Sequence, residues 1–261
     1  MRLIILTSCR HDIASRVVPV LCANPSLQVV KIVLASGRSP DRVRMLRKKL
    51  RKTLRIGLLG ALNGIRLREW YDDHEAEDIF DVCRACGVPI VETDFVNSDA
   101  TRALFRDADA DLGLSLGNAY ISESVYSVPK FGMLNIHMEI LPEFQGAQSI
   151  IWPIYNKVWE TGFTIHQIDR HIDTGNILYQ EKYPIRFYHT LRETVERNLL
   201  ETRRLIPPAF SNVCQNYLGF LSSATPQIKG RSYTTPTVWQ FIRMLRGHRA
   251  MYREACGNRT S

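Results

Sequence analysis

Short apolar runs alternate with amphipathic stretches along the first half of the chain. The runs that read as buried strands lie at residues 2–7, 27–36, 88–93, 110–117 and 132–137. The intervening stretches place apolar residues three or four positions apart, which predicts helices at residues 11–23, 73–86 and 98–107, the last with Ser98 as its N-cap. Alternation of this kind predicts an α/β fold, with a Rossmann-like, mostly parallel sheet and helices on both faces.

The second half of the chain has longer helical patterns. Two more strands are expected around a turn at residues 170–175, at 161–169 and 176–185. Helices are expected at residues 147–157, at 190–217 with an interruption or a bend near Pro207 and Pro208, and, as a short basic helix, after Pro236. We therefore expect a domain at residues 1–189 and a mostly helical C-terminal extension at 190–261.

Positive charge is concentrated in one segment, a helical insertion at about residues 40–70. The formal net charge is +8, and between Arg38 and Arg68 the sequence contains many Lys and Arg residues but a single acid, Asp41. Apolar residues interleave at helical spacing, and glycines indicate a break in the helix. The pattern fits a solvated helix, a contact with a phosphate-bearing substrate or nucleic acid, or peripheral contact with an anionic membrane.

The sequence shows neither a membrane span nor a disulfide framework. Its apolar runs are shorter than the roughly 18 residues of a span, and the N-terminal run turns polar at Thr7 without a signal-peptide cleavage site. We expect a cytoplasmic protein. The 6 cysteines are irregularly spaced. Cys83 and Cys86 form a CxxC at the end of an amphipathic stretch, which favours a core helix over a zinc or redox site.

Two hydrogen-bonding side chains stand at the end of the last strand of the first half. Asn135 and His137 are two residues apart, so they point to the same side of the strand. An amide donor beside an imidazole can receive a developing oxyanion. A carboxylate could complete this pair, and Asp173, in the turn "HIDTG", is a candidate. The sequence lacks a G-x-G-x-x-G after its first strand, which argues against a dinucleotide site.

The stretches "NIHMEILPEFQGAQSIIWPIYN" and "TGFTIHQIDRHIDTGNIL" resemble the signature of the folate-dependent formyltransferases. The shared features are Asn-x-His, Leu-Pro followed by Gly, and a distant Asp-x-Gly. The family includes glycinamide ribonucleotide formyltransferase, methionyl-tRNA formyltransferase and the sugar N-formyltransferases. The resemblance covers about residues 110–185. It implies transfer of a formyl group from the co-substrate 10-formyltetrahydrofolate to a primary amine, without a metal, by a catalytic domain at 1–189.

The resemblance also implies roles for individual residues. Asn135 and His137 would bind the oxygen of the tetrahedral intermediate, and Asp173 would keep His137 charged and help to move the amine proton. The segments expected to bind the pterin ring contribute Leu116, Gly117, Asn118, Ala119, Tyr120, Ile121, Asp169 and Ile172.

The residues expected on the acceptor side depart from the family pattern. The family often has a Ser two residues after the His and a basic residue before the Gly, where this chain has Glu139 and Gln145. Glu139 could bind an incoming ammonium or face solvent. The acceptor-side candidates are Glu139, Gln145, Gly146, Gln148, Ser149 and Trp152, of which Trp152 could equally be core packing.

The layout favours a small-molecule amine acceptor, with or without phosphate groups, and most of all a nucleotide-linked amino sugar whose diphosphate would meet the basic segment. Helical signals after residue 190 disfavour the C-terminal barrel of the tRNA enzymes, and thus nucleic acid. Glycinamide ribonucleotide, methionyl-tRNA and other small amines stay open as acceptors, as does water, which would give a formyltetrahydrofolate hydrolase. A non-catalytic protein that binds a membrane surface or partner through the 40–70 helix is the alternative of another class. The C-terminal helices allow a homodimer.

Overall fold

A seven-stranded mixed sheet forms the centre of the computed structural model, which describes residues 1–36, 41–146, 148–228 and 230–257. Its strands are β1 (Arg2–Thr7), β2 (Gln28–Ala35), β3 (Ile90–Thr93), β4 (Leu112–Leu116), β5 (Met133–His137), β7 (Glu160–Gln167) and β8 (Ile177–Pro184). A separate two-stranded sheet consists of β6 (Gln145–Gly146) and β9 (Ser232–Tyr233). The helices are α1 (Ile13–Cys22), α2 (Arg42–Glu69), α3 (Ile79–Cys86), α4 (Asp99–Ala108), α5 (Glu123–Tyr126), α6 (Ile151–Tyr155), α7 (Leu191–Gln215), α8 (Tyr217–Ser222) and α9 (Val238–Gly257).

The sheet order β3-β2-β1-β4-β5-β7-β8 explains where polar side chains collect. Its first five strands are parallel, and β7 and β8 follow antiparallel. The carboxyl ends of β1, β4 and β5 therefore meet at one edge, where ligands of open α/β sheets usually bind. The predicted α/β fold with a mostly parallel sheet is confirmed.

Helices cover both faces of the sheet because strand side chains alternate in direction. On β1, Leu3 and Ile5 enter one apolar core with residues of α1, α3 and α7, whereas Ile4 and Leu6 enter another with residues of α4 and α5. Cys83 belongs to the first core, where burial raises the pKa of its thiol to about 11. The prediction that the CxxC belongs to a core helix is confirmed.

The structure corrects four predicted helix bounds. The helix expected at 73–86 begins only at Ile79, because the carboxylate of Asp78 caps the amide N–H of Phe80. The helix expected at 147–157 covers only Ile151–Tyr155, since Ile150 has a φ of 70°. The final helix, expected to be short, runs from Val238 to Gly257.

The helix expected to be interrupted or bent near Pro207 and Pro208 is continuous over Leu191–Gln215. Its packing explains why it does not break: Ile206, Phe210 and Val213 are completely buried against the sheet and α1. Tertiary burial of an apolar face contributes more to a helix than local propensity does. This helix thereby belongs to the same core as β1 and β4.

The basic segment forms α2, with the expected glycine break at Gly57, whose φ of 75° and ψ of 165° lie outside the helical region. The C-terminal half of α2 packs on α9 and joins a further core through Leu67, with residues of α6, α7 and α9. Among the described residues, no helix has both the length and the hydropathy that a membrane span requires.

Candidate active site

The structure brings Asn135, His137 and Asp173 to one edge of the sheet. Asn135 and His137 are the two partly exposed positions of β5, which lies between β4 and β7. Asp173 lies in the turn between β7 and β8, and its Oδ2 is 3.7 Å from Nδ1 of His137. That separation exceeds a direct hydrogen bond, but a catalytic contact often tightens only when substrate is bound.

The turn that carries Asp173 is held by backbone contacts. Oδ2 of Asp173 accepts a hydrogen bond from the amide N–H of Gly146 at 3.1 Å, and Asp173 has a φ of 56°, which Asp tolerates better than most residues. Gly175 lies so close to β7 that a Cβ there would be 2.0 Å from the carbonyl oxygen of Gln167. The turn therefore requires glycine at 175 to bring Asp173 to the strand end.

Hydrogen bonds orient the imidazole of His137. Its Nε2 is 2.7 Å from the carbonyl oxygen of Phe144, which can only accept, so this nitrogen carries a proton. Nδ1 is then the ring atom that faces Asp173 and can exchange a proton with a reacting group.

A second histidine, His166, completes the cluster. It is opposite Asn135 across the β5–β7 pair, and only 2% of it is exposed. Its Nδ1 donates to the carbonyl oxygen of Gln167 at 2.7 Å, so its Nε2 accepts from Nδ2 of Asn135 at 3.2 Å. Burial lowers the pKa of His166, which keeps the ring neutral and suited to this role. His166 thus fixes the orientation of the Asn135 amide. The two side chains meet because the register of β5 and β7 places them opposite each other.

A cleft of about 640 Å³ opens beside these side chains, a size typical of small-molecule sites. Two loops face each other across it, one after β4 and one after β7. Most residues expected to bind the pterin ring line the cleft, namely Gly117, Asn118, Ala119, Tyr120, Ile121, Asp169 and Ile172. Leu116 does not line it, because its side chain is completely buried in the core.

The cleft combines apolar walls with fixed polar groups, as a flat heteroaromatic ligand requires. Ile121, Ile168 and Ile172 provide apolar surface on both loops. The amide of Asn118 is engaged with the protein, since its Nδ2 donates to Ser115 Oγ at 3.2 Å and its Oδ1 accepts from Ser8 Oγ at 2.8 Å. Asn118 therefore fixes the loop and leaves backbone groups to meet a ligand.

The acceptor-side candidates divide into two groups. Gly146 lines the main cleft, and Nε2 of Gln145 donates to the carbonyl oxygen of Asp173 at 3.0 Å, so Gln145 holds the turn that carries Asp173. The others surround a neighbouring cavity of about 10 Å³, which His137 and Tyr233 also line; they are Glu139, Gln148, Ser149 and Trp152. The indole of Trp152 is buried and packs on Tyr233, with ring centroids 4.7 Å apart and the ring planes tilted by 37°.

Glu139 does not face solvent, and its carboxylate is occupied by the protein itself. It accepts hydrogen bonds from the amide N–H groups of Ile140 at 3.2 Å and Ile150 at 2.8 Å, and from the Thr161 hydroxyl at 3.1 Å. Burial raises the pKa of Glu139 to about 8. The contact with Ile150 holds a β-branched residue at positive φ, a costly backbone conformation. The expectation that Glu139 could face solvent is therefore wrong, and its hydrogen bonds support the loop before α6.

The sequence did not assign several residues that line the cleft; they include Arg55, Ser115, His166, Ile168, Ser232, Tyr233 and Thr234. Tyr233 belongs to β9, which pairs with β6 so closely that a Cβ on Gly146 would be 2.2 Å from the Tyr233 carbonyl oxygen. Nothing in local sequence signals a two-residue pairing between segments so distant in the chain. The C-terminal segment thereby forms one wall of the site.

A cationic groove of about 930 Å³ adjoins the cleft. It is lined by Arg47, Arg51, Lys52 and Arg55 together with Asp41, Val43 and Thr234. Arg55 and Thr234 line both cavities, and Nη2 of Arg55 donates to Oγ1 of Thr234 at 3.2 Å. The groove therefore continues from the mouth of the cleft onto α2.

Comparison with known proteins agrees with this geometry. Residues 100–209 match the family model described as formyl transferase. Methionyl-tRNA formyltransferase of Deinococcus radiodurans is 36% identical over 102 residues, which are 38% of this chain and 32% of that protein. The enzyme of Bacteroides thetaiotaomicron is 31% identical over 98 residues, again 38% of this chain and 30% of the relative. The matched part thus spans about a third of the length of these relatives.

Solved structures share the fold at low sequence identity. Phosphoribosylglycinamide formyltransferase of Anaplasma phagocytophilum has a TM-score of 0.56 and 17% identity, and the match covers 83% of this chain and 88% of that chain. A sugar N-formyltransferase of a Shewanella species has a TM-score of 0.56 and 16% identity, and the match covers 95% and 87%. The N-formyltransferase of Helicobacter canadensis, in complex with folinic acid and dTDP-3-aminofucose, has a TM-score of 0.53 and 16% identity, with 95% and 80% covered. Residues 100–209 are thus similar to formyl transferases in sequence, and the chain shares its fold with the solved formyltransferases.

Proposed function

We propose that this protein transfers a formyl group from 10-formyltetrahydrofolate to the primary amine of an amino sugar that carries phosphate groups, most simply a nucleotide-linked one. The observation that carries the proposal is the meeting of Asn135, His137 and Asp173 at one end of a cleft of about 640 Å³. These residues come from a strand and from a distant turn, and they match the Asn-x-His and Asp-x-Gly pattern of the family.

The folate co-substrate supplies the formyl group, and the loops after β4 and β7 would hold its ring. When an amine attacks the formyl carbon, negative charge develops on the formyl oxygen, and donors that are already oriented stabilise it best. The Asn135 amide, oriented by His166, and Nδ1 of His137 supply those donors. The carboxylate of Asp173 lies beside this imidazole and would receive the amine proton through water. The bond between the formyl carbon and the folate nitrogen then breaks, and tetrahydrofolate leaves.

The cationic groove supports a phosphate-bearing acceptor. Arg47, Arg51 and Arg55 line it, and guanidinium groups bind phosphate oxygens in bidentate fashion. Because Arg55 lies at the junction of groove and cleft, a sugar with its amine near His137 could extend its phosphates onto α2. The dTDP-3-aminofucose bound by the Helicobacter canadensis enzyme has this chemistry.

Formyl transfer is tested by following loss of 10-formyltetrahydrofolate with purified protein and a panel of amines. The panel contains nucleotide-linked amino sugars, the matching free amino sugars, glycinamide ribonucleotide and methionyl-tRNA. Transfer to a nucleotide-linked amino sugar at a higher kcat/KM than to the free sugar supports the proposal. Transfer only to one of the other amines would refute the proposal that the acceptor is a phosphate-bearing amino sugar. Release of formate without any amine would indicate a hydrolase.

Asp173→Asn provides the control for the site, because Asn also tolerates the positive φ at this position. Asp81→Asn, an exposed position on α3, is the matched variant outside the site. Transfer that survives Asp173→Asn unchanged would exclude the proposed catalytic cluster.

A further inference from the structure

We infer that α2 docks on an anionic lipid surface, with the apolar face of the helix inserted at the level of the headgroups. The inference concerns where the protein binds and not its reaction, so it stands independently of the proposed formyl transfer. It follows from the exposure, the orientation and the charge of the described side chains of this helix.

Eight large apolar side chains of α2 are exposed. Before the break at Gly57, Val43, Leu46, Leu50 and Leu54 are between 59% and 75% exposed. Their spacing of three and four residues places them on one face of the helix. After the break, Leu58, Leu59, Leu62 and Ile65 are between 55% and 70% exposed. Scattered exposed leucines are ordinary, but a row along a whole helix marks an interaction surface.

The opposite face already has its partner. Ile56 and Leu67 are buried, and Gly60 and Gly64 allow the helix to lie directly on the segment before α9. A Cβ on Gly64 would be 2.7 Å from Cγ2 of Thr235, and one on Gly60 would be 3.5 Å from the Pro236 carbonyl oxygen. The side of α2 that carries Gly60 and Gly64 therefore packs on the protein, and the exposed apolar side chains point away from it.

Charge identifies the class of partner. From Arg42 to Arg68 the sequence contains no Asp or Glu, whereas Arg47, Lys49 and Arg51 are exposed on the first half of the helix. A row of leucine flanked by cations is the pattern of interfacial helices, which bury the apolar face at the acyl boundary and hold anionic headgroups with Lys and Arg.

Other occupants fit this surface less well. A nucleic acid would neutralise the cations but leave the leucines in water, since phosphate contacts dominate its binding. A second copy of the chain could cover the leucines, but it would bring an equally basic helix against this one. An anionic membrane satisfies both features at once.

Docking would have a consequence for the cleft. The groove lined by Arg47, Arg51 and Arg55 lies on the same helix and opens into the cleft at Arg55. The mouth of the candidate site would therefore lie close to the lipid headgroups, where phosphate-bearing molecules are concentrated.

The test is co-sedimentation of the full chain with vesicles of phosphatidylcholine alone and of phosphatidylcholine mixed with phosphatidylglycerol. We expect at least about tenfold stronger partition onto the anionic vesicles, weakened by added salt. The triple variant Leu46→Gln, Leu50→Gln, Leu54→Gln should lose about tenfold or more of that partition. The double variant Leu218→Gln, Ile228→Gln, which changes exposed apolar residues outside α2, should bind as the wild type does.

Three results would overturn the inference: no preference for anionic vesicles, equal binding by the triple variant, or a dimer in sedimentation analysis that the triple variant dissociates. The inference is supported if the double variant still binds vesicles and the triple variant does not. Unfolding midpoints equal to that of the wild type would show that both variants are folded. The rate of formyl transfer by each variant, measured with substrates in solution, then shows whether vesicle binding and catalysis fail separately.

Discussion

The candidate catalytic cluster and α2 differ in how their side chains are satisfied. In the cluster, the polar groups of Asn135, His137 and His166 lie at the end of buried strands, and each has a hydrogen-bond partner in the protein. On α2, the leucines at 50, 54 and 58 are more than half exposed. The protein itself orients the side chains of the first region, whereas the second presents surface that water solvates poorly.

The two regions are also held differently. Sheet register fixes the cluster, because His166 opposes Asn135 and a loop clamped by Glu139 follows β5. The described contacts of α2 come mainly from one small face, through Gly60 and Gly64. Precise geometry and broad, adaptable contact thus occur in separate parts of one chain, as catalysis and surface docking respectively require.

The largest effect is expected in the cluster. Asp173→Asn removes the charge opposite His137 while preserving a side-chain acceptor for Gly146, so kcat/KM should fall by about 10²–10⁴-fold without a change in unfolding midpoint. Steady-state kinetics and thermal unfolding check this, with Asp81→Asn as the control. A decrease below about threefold would show that Asp173 does not take part.

Truncation of a leucine in the buried core and of one on α2 should have very different effects on stability. Leu199→Ala removes a side chain that is 1% exposed in the α7 core and should cost about 2–5 kcal/mol of unfolding free energy. Leu50→Ala removes one that is 59% exposed and should change it by less than about 0.5 kcal/mol. Denaturant titration measures both. A large cost for Leu50→Ala would mean that the α2 face is covered in the free protein.

Glu139 should make stability depend on pH. Its folded-state pKa of about 8 lies above the ordinary value of 4.5, so the folded state binds more protons between these pH values. Unfolding free energy should therefore fall as pH rises from about 5 to 8, on the order of a few kcal/mol. Glu139→Gln should flatten this profile, and Glu160→Gln, an exposed carboxylate of β7, should not. Identical profiles of unfolding free energy against pH in all three proteins would contradict the raised pKa of the Glu139 carboxyl group.

A smaller effect is expected at Arg55, which lies where the groove on α2 meets the cleft. Arg55→Gln removes the cation shared by groove and cleft and should raise the KM for a phosphate-bearing acceptor about tenfold, with little change in kcat. Arg66→Gln, on α2 but outside the groove lining, is the control. An unchanged KM for Arg55→Gln would separate the groove from acceptor binding.

The site was predictable where it depends on local rules. Side-chain alternation along β5 placed Asn135 and His137 on one face, and the family resemblance identified Asp173. Glu139 was misjudged because burial depends on packing around it, which its neighbours in sequence do not reveal. Tyr233 was missed because a pairing of two residues leaves no periodic signal.

The sequence by itself determined the seven strands of the main sheet, their alternation with helices, a basic helix with a break in its glycine-containing part, and the identity of the polar residues at the strand end. These follow from periodicity and residue chemistry within short windows. Only the tertiary structure decided that His166 orients Asn135, that Glu139 is buried, and that residues from Arg55 and β9 close the cleft. Those outcomes depend on strand register and on contacts between distant segments, which no local pattern encodes.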